Sequence, residues 1–327
     1  MGRINFVLLS FICLMLFSLA SCRKQIPTEV DTNTPVFTAT TSPTFTVSPT
    51  ITPTFTPFNT PVTLNKVAFY ASCGYPNQAQ SGFYVMNDDG TNPIKIAEGG
   101  SDAKSPKWSP DGTRIAYLIQ GPFDFHHYLV VVNIDGSNGH ILPIDALSFS
   151  WSPDGERIVF EDWTANWRTI HHQMHSVNLD GSDLVRLTYS EYFELFPSWS
   201  LDGGRIAFTR YMNSNTDPVI CIMNFDGSNL VMLPGYYARP EWSPDGTKLL
   251  CSSGYGTSII YPNGVLYRNV TRATFRSSWN HDGTKVMYAE NSGGVCGVKV
   301  YELATGTTSF IPIDSTVISS VLDLAWK

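Results

Sequence analysis

The chain has 327 residues, of which 43% are hydrophobic and 13% aromatic, and its formal net charge is −7 at pH 7. A chain of this length and composition can fold into one large domain with a substantial hydrophobic core. Acidic residues outnumber basic ones, and no basic stripe interrupts them. Nucleic acid is therefore excluded as the expected partner.

The first 22 residues, MGRINFVLLSFICLMLFSLASC, are typical of a secretory signal. Arg3 precedes an apolar run over residues 6–19, which is too short for a membrane-spanning helix of about 20 residues. The run ends in Leu-Ala-Ser-Cys at residues 19–22, which resembles the lipobox of bacterial lipoproteins. In that family the cysteine is diacylated and becomes the mature N-terminus. The resemblance implies a signal over residues 1–21 and attachment to the membrane through a lipid on Cys22.

The alternative for this segment is an ordinary signal peptide with an incidental cysteine. Arg23 follows the cysteine, where an aspartate would be the other common choice. In this respect the chain resembles lipoproteins sent to the outer membrane. The resemblance implies an exported protein of the cell envelope, at the outer membrane if the cell has one and at the cell surface otherwise.

A segment rich in Thr, Pro and Ser follows from Ile26 to Thr63. It cannot bury enough apolar surface to fold, and its prolines favour an extended backbone. At about 3.1 Å per residue it could reach on the order of 100 Å. Residues 22–63 are therefore predicted to be a lipidated, disordered tether, followed by a folded domain over residues 64–327.

One motif recurs through the remainder of the chain. It reads WSPDGTRIAYL, WSPDGERIVF, WSLDGGRIAF, WSPDGTKLLC and WNHDGTKVMY, beginning at Trp108, Trp151, Trp199, Trp242 and Trp279. With Trp326, the tryptophans recur every 37 to 48 residues or so, a period expected of propeller blades. Each unit predicts a strand that ends at the Trp, a turn, a second strand, a variable loop, a third strand, an Asp-Gly turn and a fourth strand.

The repeated Asp-Gly pairs are predicted to form turns and not to carry out catalysis. In Ser109-Pro110-Asp111-Gly112, Pro pre-sets the first central residue of a type I turn and Gly supplies the positive φ that follows. A second turn recurs as NDDGTN, NIDGSN, NLDGSD and NFDGSN. Every unit needs the same corner, whereas a catalytic residue would not be needed in every unit.

The repeated W-S-P-D-G-x-[RK]-[IL], followed by a strand that ends in Asn-x-Asp-Gly, resembles the WD40-like PD40 repeat of TolB-family β-propellers. The resemblance covers residues 64–327. Three places depart from it: Leu201 replaces the turn proline, Asn280-His281 replaces Ser-Pro, and YPNGVLY keeps only a trace of the third-strand motif.

The order of the repeats predicts an all-β, six-bladed propeller. The domain starts at the second strand of a blade, Lys66-Val67-Ala68-Phe69, and ends on a first-strand signature, Leu322-Asp323-Leu324-Ala325-Trp326. The C-terminal strand should therefore join the first blade and close the ring, which leaves no unpaired end. We expect the propeller to be a monomer.

Sequence variety is concentrated in the loops on the face opposite the Asp-Gly turns, so we predict binding there. The candidate ligand-binding residues form a predicted aromatic shelf with a cationic end: Trp163, Trp167, Tyr192, Phe193, Tyr236, Tyr237 and Arg239. Such a surface suits sugar rings or the side chains of a protein partner. The alternative for any one of these aromatics is packing between blades.

Histidines suggest a second kind of site. The third strands of blades two and three can be aligned on Asn133 and Asn178. In this alignment His126 is equivalent to His171 and His127 is equivalent to His172, and His175 lies nearby. Imidazoles on one rim suit zinc or another transition metal. No fixed-spacing motif is present, however, so solvent-facing histidines without a cofactor are the default prediction.

Four cysteines lie in the exported domain, where disulfides are permitted. Cys73 and Cys296 fall on the loop face of blades that ring closure makes neighbours, so a Cys73–Cys296 disulfide is one possibility that the sequence leaves open. Cys221 and Cys251 sit inside strands and are predicted to be buried free thiols.

Two functions remain. The resemblance favours a lipid-anchored, non-catalytic recognition protein of the envelope that binds a protein or a glycan. TolB-family proteins of the envelope system are soluble and carry an extra N-terminal domain, and the tether takes that place here. The alternative is a polysaccharide-active lyase or hydrolase with a His-based metal site. Its candidate acids, predicted to be solvated on exposed loops, are Asp124, Glu161, Asp162, Glu191 and Glu194.

Overall fold

A computed structural model describes residues 66–72, 81–98, 104–120, 126–166, 169–212, 217–253, 256–272, 277–292, 295–312 and 320–326. The predicted signal, Cys22, the tether, Cys73, Asp124 and Trp167 lie outside these residues. All regular structure within them is β, so the described part of the chain contains no helix that could cross a membrane.

The strands, in chain order, are β1 (Lys66–Ser72), β2 (Gly82–Asn87), β3 (Ile94–Glu98), β4 (Lys104–Trp108), β5 (Arg114–Gln120), β6 (His127–Asn133), β7 (His140–Trp151), β8 (Arg157–Asn166), β9 (Thr169–Asn178), β10 (Val185–Arg186), β11 (Phe193–Trp199), β12 (Arg205–Tyr211), β13 (Val219–Asn224), β14 (Val231–Met232), β15 (Ala238–Trp242), β16 (Leu249–Ser253), β17 (Gly256–Ile260), β18 (Leu266–Thr271), β19 (Ser277–Trp279), β20 (Lys285–Ser292), β21 (Val295–Glu302), β22 (Thr308–Pro312) and β23 (Ser320–Trp326).

These strands form antiparallel sheets that follow one another as the blades of a β-propeller. Four sheets have four strands, in the orders β23-β1-β2-β3, β11-β12-β13-β14, β15-β16-β17-β18 and β19-β20-β21-β22. A fifth has seven strands, β4 to β10. It is long because β7 continues without a break: residues 140–145 pair with β6, and residues 146–151 pair with β8.

The C-terminal strand closes the first sheet, as the sequence predicts. β23 pairs antiparallel with β1, from Val67 opposite Trp326 to Ser72 opposite Ser320. Apolar side chains then pack the last sheet against the first: Met287 and Val298 lie in one buried cluster with Val67 and Phe69. The seam between the two ends of the domain is therefore a hydrophobic core like the seams between other neighbouring sheets.

The repeated turn stabilises itself through its own side chains. The Ser109 hydroxyl donates to Asp111 Oδ1 (2.5 Å), which also accepts the Thr113 N–H (3.0 Å), and the Arg114 N–H donates to the serine oxygen (2.9 Å). The prediction that this motif serves folding is confirmed. In the divergent copy that begins at Trp279, Asn280 replaces the serine, and its Oδ1 accepts the Lys285 N–H at 2.8 Å.

The repeated tryptophans join neighbouring strands of the ring. The Trp151 indole N–H donates to the Lys107 carbonyl at 3.2 Å, and the Trp199 backbone N–H donates to Ser150 Oγ at 3.1 Å. Arg114 stacks on the Trp151 ring, with its Cζ 5.4 Å from the ring centroid. Side chains of the repeated motif thus link neighbouring repeats at this seam, and Arg205 stacks on Trp242 in the same way, at 4.5 Å.

Candidate functional site

The connections between strands lie on two faces of the propeller, because successive strands of a meander run in opposite directions. Connections β8–β9, β10–β11, β12–β13 and β14–β15 share one face, which we call the loop face. The Asp-Gly turns lie on the opposite face, which we call the turn face. Most of the residues predicted to bind ligand belong to the loop face.

A buried carboxylate organises the loop-face end of β8. Glu161 Oε2 accepts a hydrogen bond from the Ser148 hydroxyl at 2.5 Å, and Glu161 Oε1 lies 2.8 Å from His172 Nδ1. The backbone N–H of Phe196, on β11, donates to Ser148 Oγ (2.9 Å) and to Glu161 Oε2 (3.3 Å). Glu161 therefore connects β7, β8 and β9 to the following sheet.

A second buried carboxylate faces it from β11. Glu194 Oε1 accepts from Arg210 Nε (3.1 Å), from Arg210 Nη2 (2.5 Å) and from the Ser190 hydroxyl (2.7 Å). No donor in the described part of the chain reaches Glu194 Oε2. We call Glu161, His172, Glu194 and Arg210 the polar seam, since they lie where the β8–β9 and β11–β12 strands pack together.

Aromatic residues cover the polar seam. The Phe193 ring lies 5.4 Å from the His172 ring, centroid to centroid, and the Arg210 guanidinium lies 5.3 Å from the Tyr192 centroid. Tyr189 stacks over the Arg186 guanidinium at 4.5 Å. A cation beneath an aromatic ring holds it in place while its other face remains available.

The loop that carries these tyrosines is held by the buried Gln173 and Thr188 side chains and by the exposed Arg186. The Gln173 amide donates to the Ser190 carbonyl (2.7 Å), the Met174 N–H donates to Thr188 Oγ1 (3.0 Å), and the Arg186 Nε donates to the Thr188 carbonyl (2.7 Å). Tyr189 nevertheless remains 77% exposed and Tyr192 38% exposed. The loop is thus fixed in conformation and presents large aromatic side chains to solvent.

Three inner strands share an unusual backbone feature near the loop face. Ser105, Phe196 and Arg239 have positive φ values of 60°, 57° and 56°, and each is followed by proline. Each lies at a shift of register, where the inner strand gains residues relative to its neighbour. The bulge turns the Phe196 N–H toward Ser148 and the Arg239 N–H toward Thr209 Oγ1, at 2.8 Å.

The structure separates the predicted aromatic shelf into unlike parts. Tyr236 is exposed (67%), and Arg239 is exposed with its guanidinium 4.0 Å from the Phe196 centroid. Tyr237 instead packs against a buried cluster that contains Ile220 and Trp242. The Trp163 side chain lies outside the described residues, as does all of Trp167.

The predicted histidines of the described part of the chain lie beside three different carboxylates, and two of them share Asp145. His172 contacts Glu161, His175 Nδ1 is 3.9 Å from Asp162, and His126 Nδ1 contacts Asp145. The His127 N–H also donates to Asp145, at 2.9 Å. The His171 side chain lies outside the described residues. Among the described side chains, no group of three or more His, Cys, Asp or Glu residues is arranged to hold a metal ion.

Burial shifts the pKa of several groups near this site. Burial raises the pKa of Asp162, although the charge of His175 partly offsets the effect, and burial lowers the pKa of His175. Burial also raises the pKa of Tyr211, which senses the charges of Arg239 and Glu161. Desolvation therefore shifts these three pKa values more than any single neighbouring charge does.

The expectation that the loop carboxylates are solvated is wrong for Glu161 and Glu194, which are buried. One sequence signal could have revealed Glu161: it occupies a position of the repeated strand where other copies have Leu118, Thr209 and Ala289. A charged residue at a position that other repeats keep apolar or small indicates a buried partner. Sequence reasoning missed Arg210 and Tyr189 altogether.

Cys221 and Cys251 are buried free thiols, which confirms the prediction. Burial raises the pKa of Cys221 to about 11 and raises the pKa of Cys251 further, so neither is a reactive thiolate. Cys296 is the second residue of β21, but its side chain and Cys73 lie outside the described residues, so the proposed disulfide stays a prediction.

Comparison with known proteins agrees with this architecture. The chain is 33% identical over 144 residues to the TolB homolog of Chlorobium luteolum, a match that covers 42% of this chain and 33% of that protein. It spans about a third of the length of the curated relatives that it matches.

Among solved structures, the chain is similar to TolB from Acinetobacter baumannii, with a TM-score of 0.67, 18% identity, and coverage of 80% of this chain and 66% of that one. It is also similar to a chain of the nidogen/laminin complex, with a TM-score of 0.61, 10% identity, and coverage of 80% and 97%. The family of PD40 TolB beta propeller domains matches residues 58–254, more than half of the chain. The chain therefore belongs to the TolB β-propeller family.

Proposed function

We propose that this protein is a lipid-anchored, non-catalytic recognition protein of the bacterial cell envelope, and that it binds a protein partner through the loop face. The observation that carries the proposal is the fixed loop at residues 188–192. It exposes Tyr189 and Tyr192 while arginines stack on them from beneath. Aromatic side chains that are ordered before binding lose little conformational entropy on association, so they suit binding hot spots.

The propeller that presents this loop has six blades in our proposal. The seven-stranded sheet counts as two blades, because the two halves of β7 serve as the outer strand of one blade and the inner strand of the next. Buried apolar clusters between successive units support this count. In a closed ring the number of such seams equals the number of blades.

The anchor is the lipid on Cys22, with residues 22–63 as the tether. The lipobox-like Leu-Ala-Ser-Cys segment supports this part of the proposal. Mass spectrometry of the N-terminal peptide from the membrane fraction tests it directly. We expect a diacylated Cys22 at the new N-terminus and loss of membrane attachment in Cys22→Ser. An unmodified N-terminus would contradict the anchor without affecting the binding proposal.

A non-catalytic role is supported by the structural work of the buried acids. Glu161 accepts from Ser148 and Phe196 and lies against His172, and Glu194 binds Arg210 and Ser190. Both carboxylates thus hold adjacent strands together through hydrogen bonds, and Glu194 is paired with the Arg210 cation. Metal analysis after mild purification tests the enzyme alternative, which predicts stoichiometric zinc or another transition metal.

Capture of envelope proteins tests the binding proposal. The mature chain from residue 22, with Cys22→Ser, is immobilised and offered solubilised envelope proteins or a glycan panel. We expect capture of a defined protein that is lost in Tyr189→Ala/Tyr192→Ala/Tyr236→Ala. Phe310→Ala, which removes an exposed aromatic from β22, is the matched control and should leave capture unchanged. Equal capture by the triple variant would contradict the loop-face site, and capture of a glycan alone would contradict a protein partner.

A further inference from the structure

The divergent YPNGVLY segment gives one sheet a surface unlike the others. Its turn keeps the backbone of the other turns: the Tyr261 N–H donates to the Val265 carbonyl at 2.8 Å, just as the Asn224 N–H donates to the Ser228 carbonyl at 2.9 Å. Gly264 keeps the positive φ of 83°. The YPNGVLY sequence therefore forms the same turn backbone as the other copies, so the need to make the turn does not explain why this sequence differs.

Two side chains of that turn differ from those of the other copies, whereas Asn263 accepts the Val265 N–H at 3.0 Å just as Asp226 accepts the Ser228 N–H. In the turn after β13, the Asn224 amide donates to Ser228 Oγ at 2.9 Å, and Asp226 accepts the Ser228 hydroxyl at 2.7 Å. Tyr261 and Val265 replace the asparagine and the serine, and both are exposed. Water-facing polar groups have thus been exchanged for apolar ones, which favours a contact surface at this turn.

The apolar surface continues onto the neighbouring sheet. Gly264 packs so closely on Pro234 that a Cβ there would lie 2.6 Å from the proline Cδ. The outer strand that leads into Pro234 is exposed as well. We define the outer apolar patch as the residues of these two segments, which are between 37% and 57% exposed: Leu230, Val231, Met232, Tyr261, Val265, Leu266 and Tyr267.

The rim of the patch carries both signs of charge. Lys248 Nζ lies 5.5 Å from the Tyr267 centroid and 3.5 Å from Asp245 Oδ2. The Arg268 guanidinium lies 5.6 Å from the same ring, and exposed Asp226 precedes the strand of the neighbouring sheet. Lys248 and Arg268 balance Asp245 and Asp226 on this rim, so it has no excess of positive charge to attract an anionic membrane, whereas a surface that carries both signs can be complementary to itself across a two-fold axis.

We propose that the outer apolar patch is a homodimer interface, occupied by the patch of a second copy of this chain. Its seven side chains expose roughly 600 Å², close to the ~800 Å² that each partner contributes to a standard interface, and the charged rim supplies the remainder. This proposal departs from the monomer expected from the sequence, which stays a prediction that the experiment below also tests. The dimer leaves the loop face free and would carry two loop faces, which raises avidity for a partner that is itself multivalent.

Sedimentation velocity of the mature Cys22→Ser chain, from about 1 to about 100 μM, tests the dimer. We expect a concentration-dependent dimer. Tyr261→Asn/Val265→Ser/Leu266→Asn restores the polar side chains of the other turns and should raise the dissociation constant by at least ~100-fold, and the variant should still unfold in a single cooperative thermal transition. Ile94→Ser/Phe310→Ser removes comparably exposed apolar residues from other outer strands and should still dimerise.

Val231→Ser/Met232→Ser is the second variant, on the other segment of the patch, in case the turn variant fails to fold. A wild-type chain that stays monomeric at about 100 μM, or a folded turn variant that still dimerises, would overturn the proposal. Cosedimentation of a monomeric wild type with phosphatidylglycerol vesicles would overturn it in favour of a lipid surface. Capture by the loop face should be retained by the turn variant, so the two proposals fail separately.

Discussion

The two faces of the propeller use polar side chains in different ways. On the turn face, each copy of the motif satisfies its own hydrogen bonds: Ser109, Ser152, Ser200 and Ser243 each donate at 2.5 Å to the aspartate two residues later. On the loop face, Glu161 binds Ser148 and the Phe196 N–H, which are 13 and 35 residues away, and Glu194 binds Arg210, which is 16 residues away. The turn face therefore repeats one local arrangement, whereas these polar contacts of the loop face join residues that are distant in the chain.

The largest loss of stability should come from removal of β23, the strand that joins the two ends of the domain. Deletion of residues 322–327 removes most of β23 and exposes the paired edge of β1 along with its buried cluster. We expect loss of the cooperative thermal transition followed by circular dichroism, because the ring cannot close. Deletion of Lys327 alone is the control, and an unchanged melting temperature after the longer deletion would contradict closure.

The polar seam should be the next most sensitive region. Arg210→Met leaves Glu194 buried without its cation, and we expect a loss of about 3–5 kcal/mol in the free energy of unfolding. Arg210→Met/Glu194→Leu should recover most of that loss, because no uncompensated charge remains. Urea denaturation measures both variants.

The exposed pair Lys95–Glu98 is the matched control for the seam. Lys95→Met should cost no more than about 1 kcal/mol, because solvent screens the pair. If Lys95→Met and Arg210→Met lowered the free energy of unfolding equally, burial would not make the Arg210–Glu194 pair more important for stability than the exposed Lys95–Glu98 pair.

The pH dependence should have opposite signs on the two faces. Hydrogen bonds from the Ser182 hydroxyl and N–H lower the pKa of Asp180, so its contribution to stability is present above the usual value of 3.8 and is lost as the pH falls. Burial raises the pKa of Asp162, so its ionisation opposes folding at neutral pH. At pH 7, Asp180→Asn should lower the urea midpoint and Asp162→Asn should raise it.

The Asp162 difference should shrink as the pH falls from above 3.8 through that value, because the folded-state pKa is raised, and the Asp180 difference should shrink only below 3.8, because the folded-state pKa is lowered. Urea midpoints measured from pH 7 to about pH 2 follow both changes. Shifts of the same sign at pH 7 would contradict the contrast between the solvated turn and the buried loop-face end of β8.

The smallest change in stability should come from a substitution in the divergent turn, at Leu201. Its backbone matches the other copies, since the Gly203 N–H donates to the Ser200 carbonyl at 2.9 Å, and Leu201 is exposed. Leu201→Pro installs the proline of the other repeats and should stabilise the fold by about 0.4–1 kcal/mol through the unfolded state. Differential scanning calorimetry measures it, and Pro110→Leu should have the opposite effect.

Much of the fold could be predicted because its signals are local. The turn chemistry of Ser-Pro-Asp-Gly and the strand pattern after each Trp involve neighbouring residues, and the pairing of β23 with β1 followed from counting strands. The site was less predictable. Tyr192, Tyr236 and Arg239 are exposed, as loop composition predicted, but Tyr237 packs against a buried cluster, and Tyr189, Arg210 and the burial of Glu161 were not foreseen.

The sequence by itself determined the repeated turns, the strand order and the closing strand, because each depends on residues close together in the chain or on a simple count. Only the tertiary structure decided which polar residues meet. Glu161 and the Phe196 N–H are 35 residues apart, and the strand pattern does not encode the packing of one sheet on the next. Whether a loop residue is buried therefore depends on the neighbouring sheet, whose position arises from the folded ring.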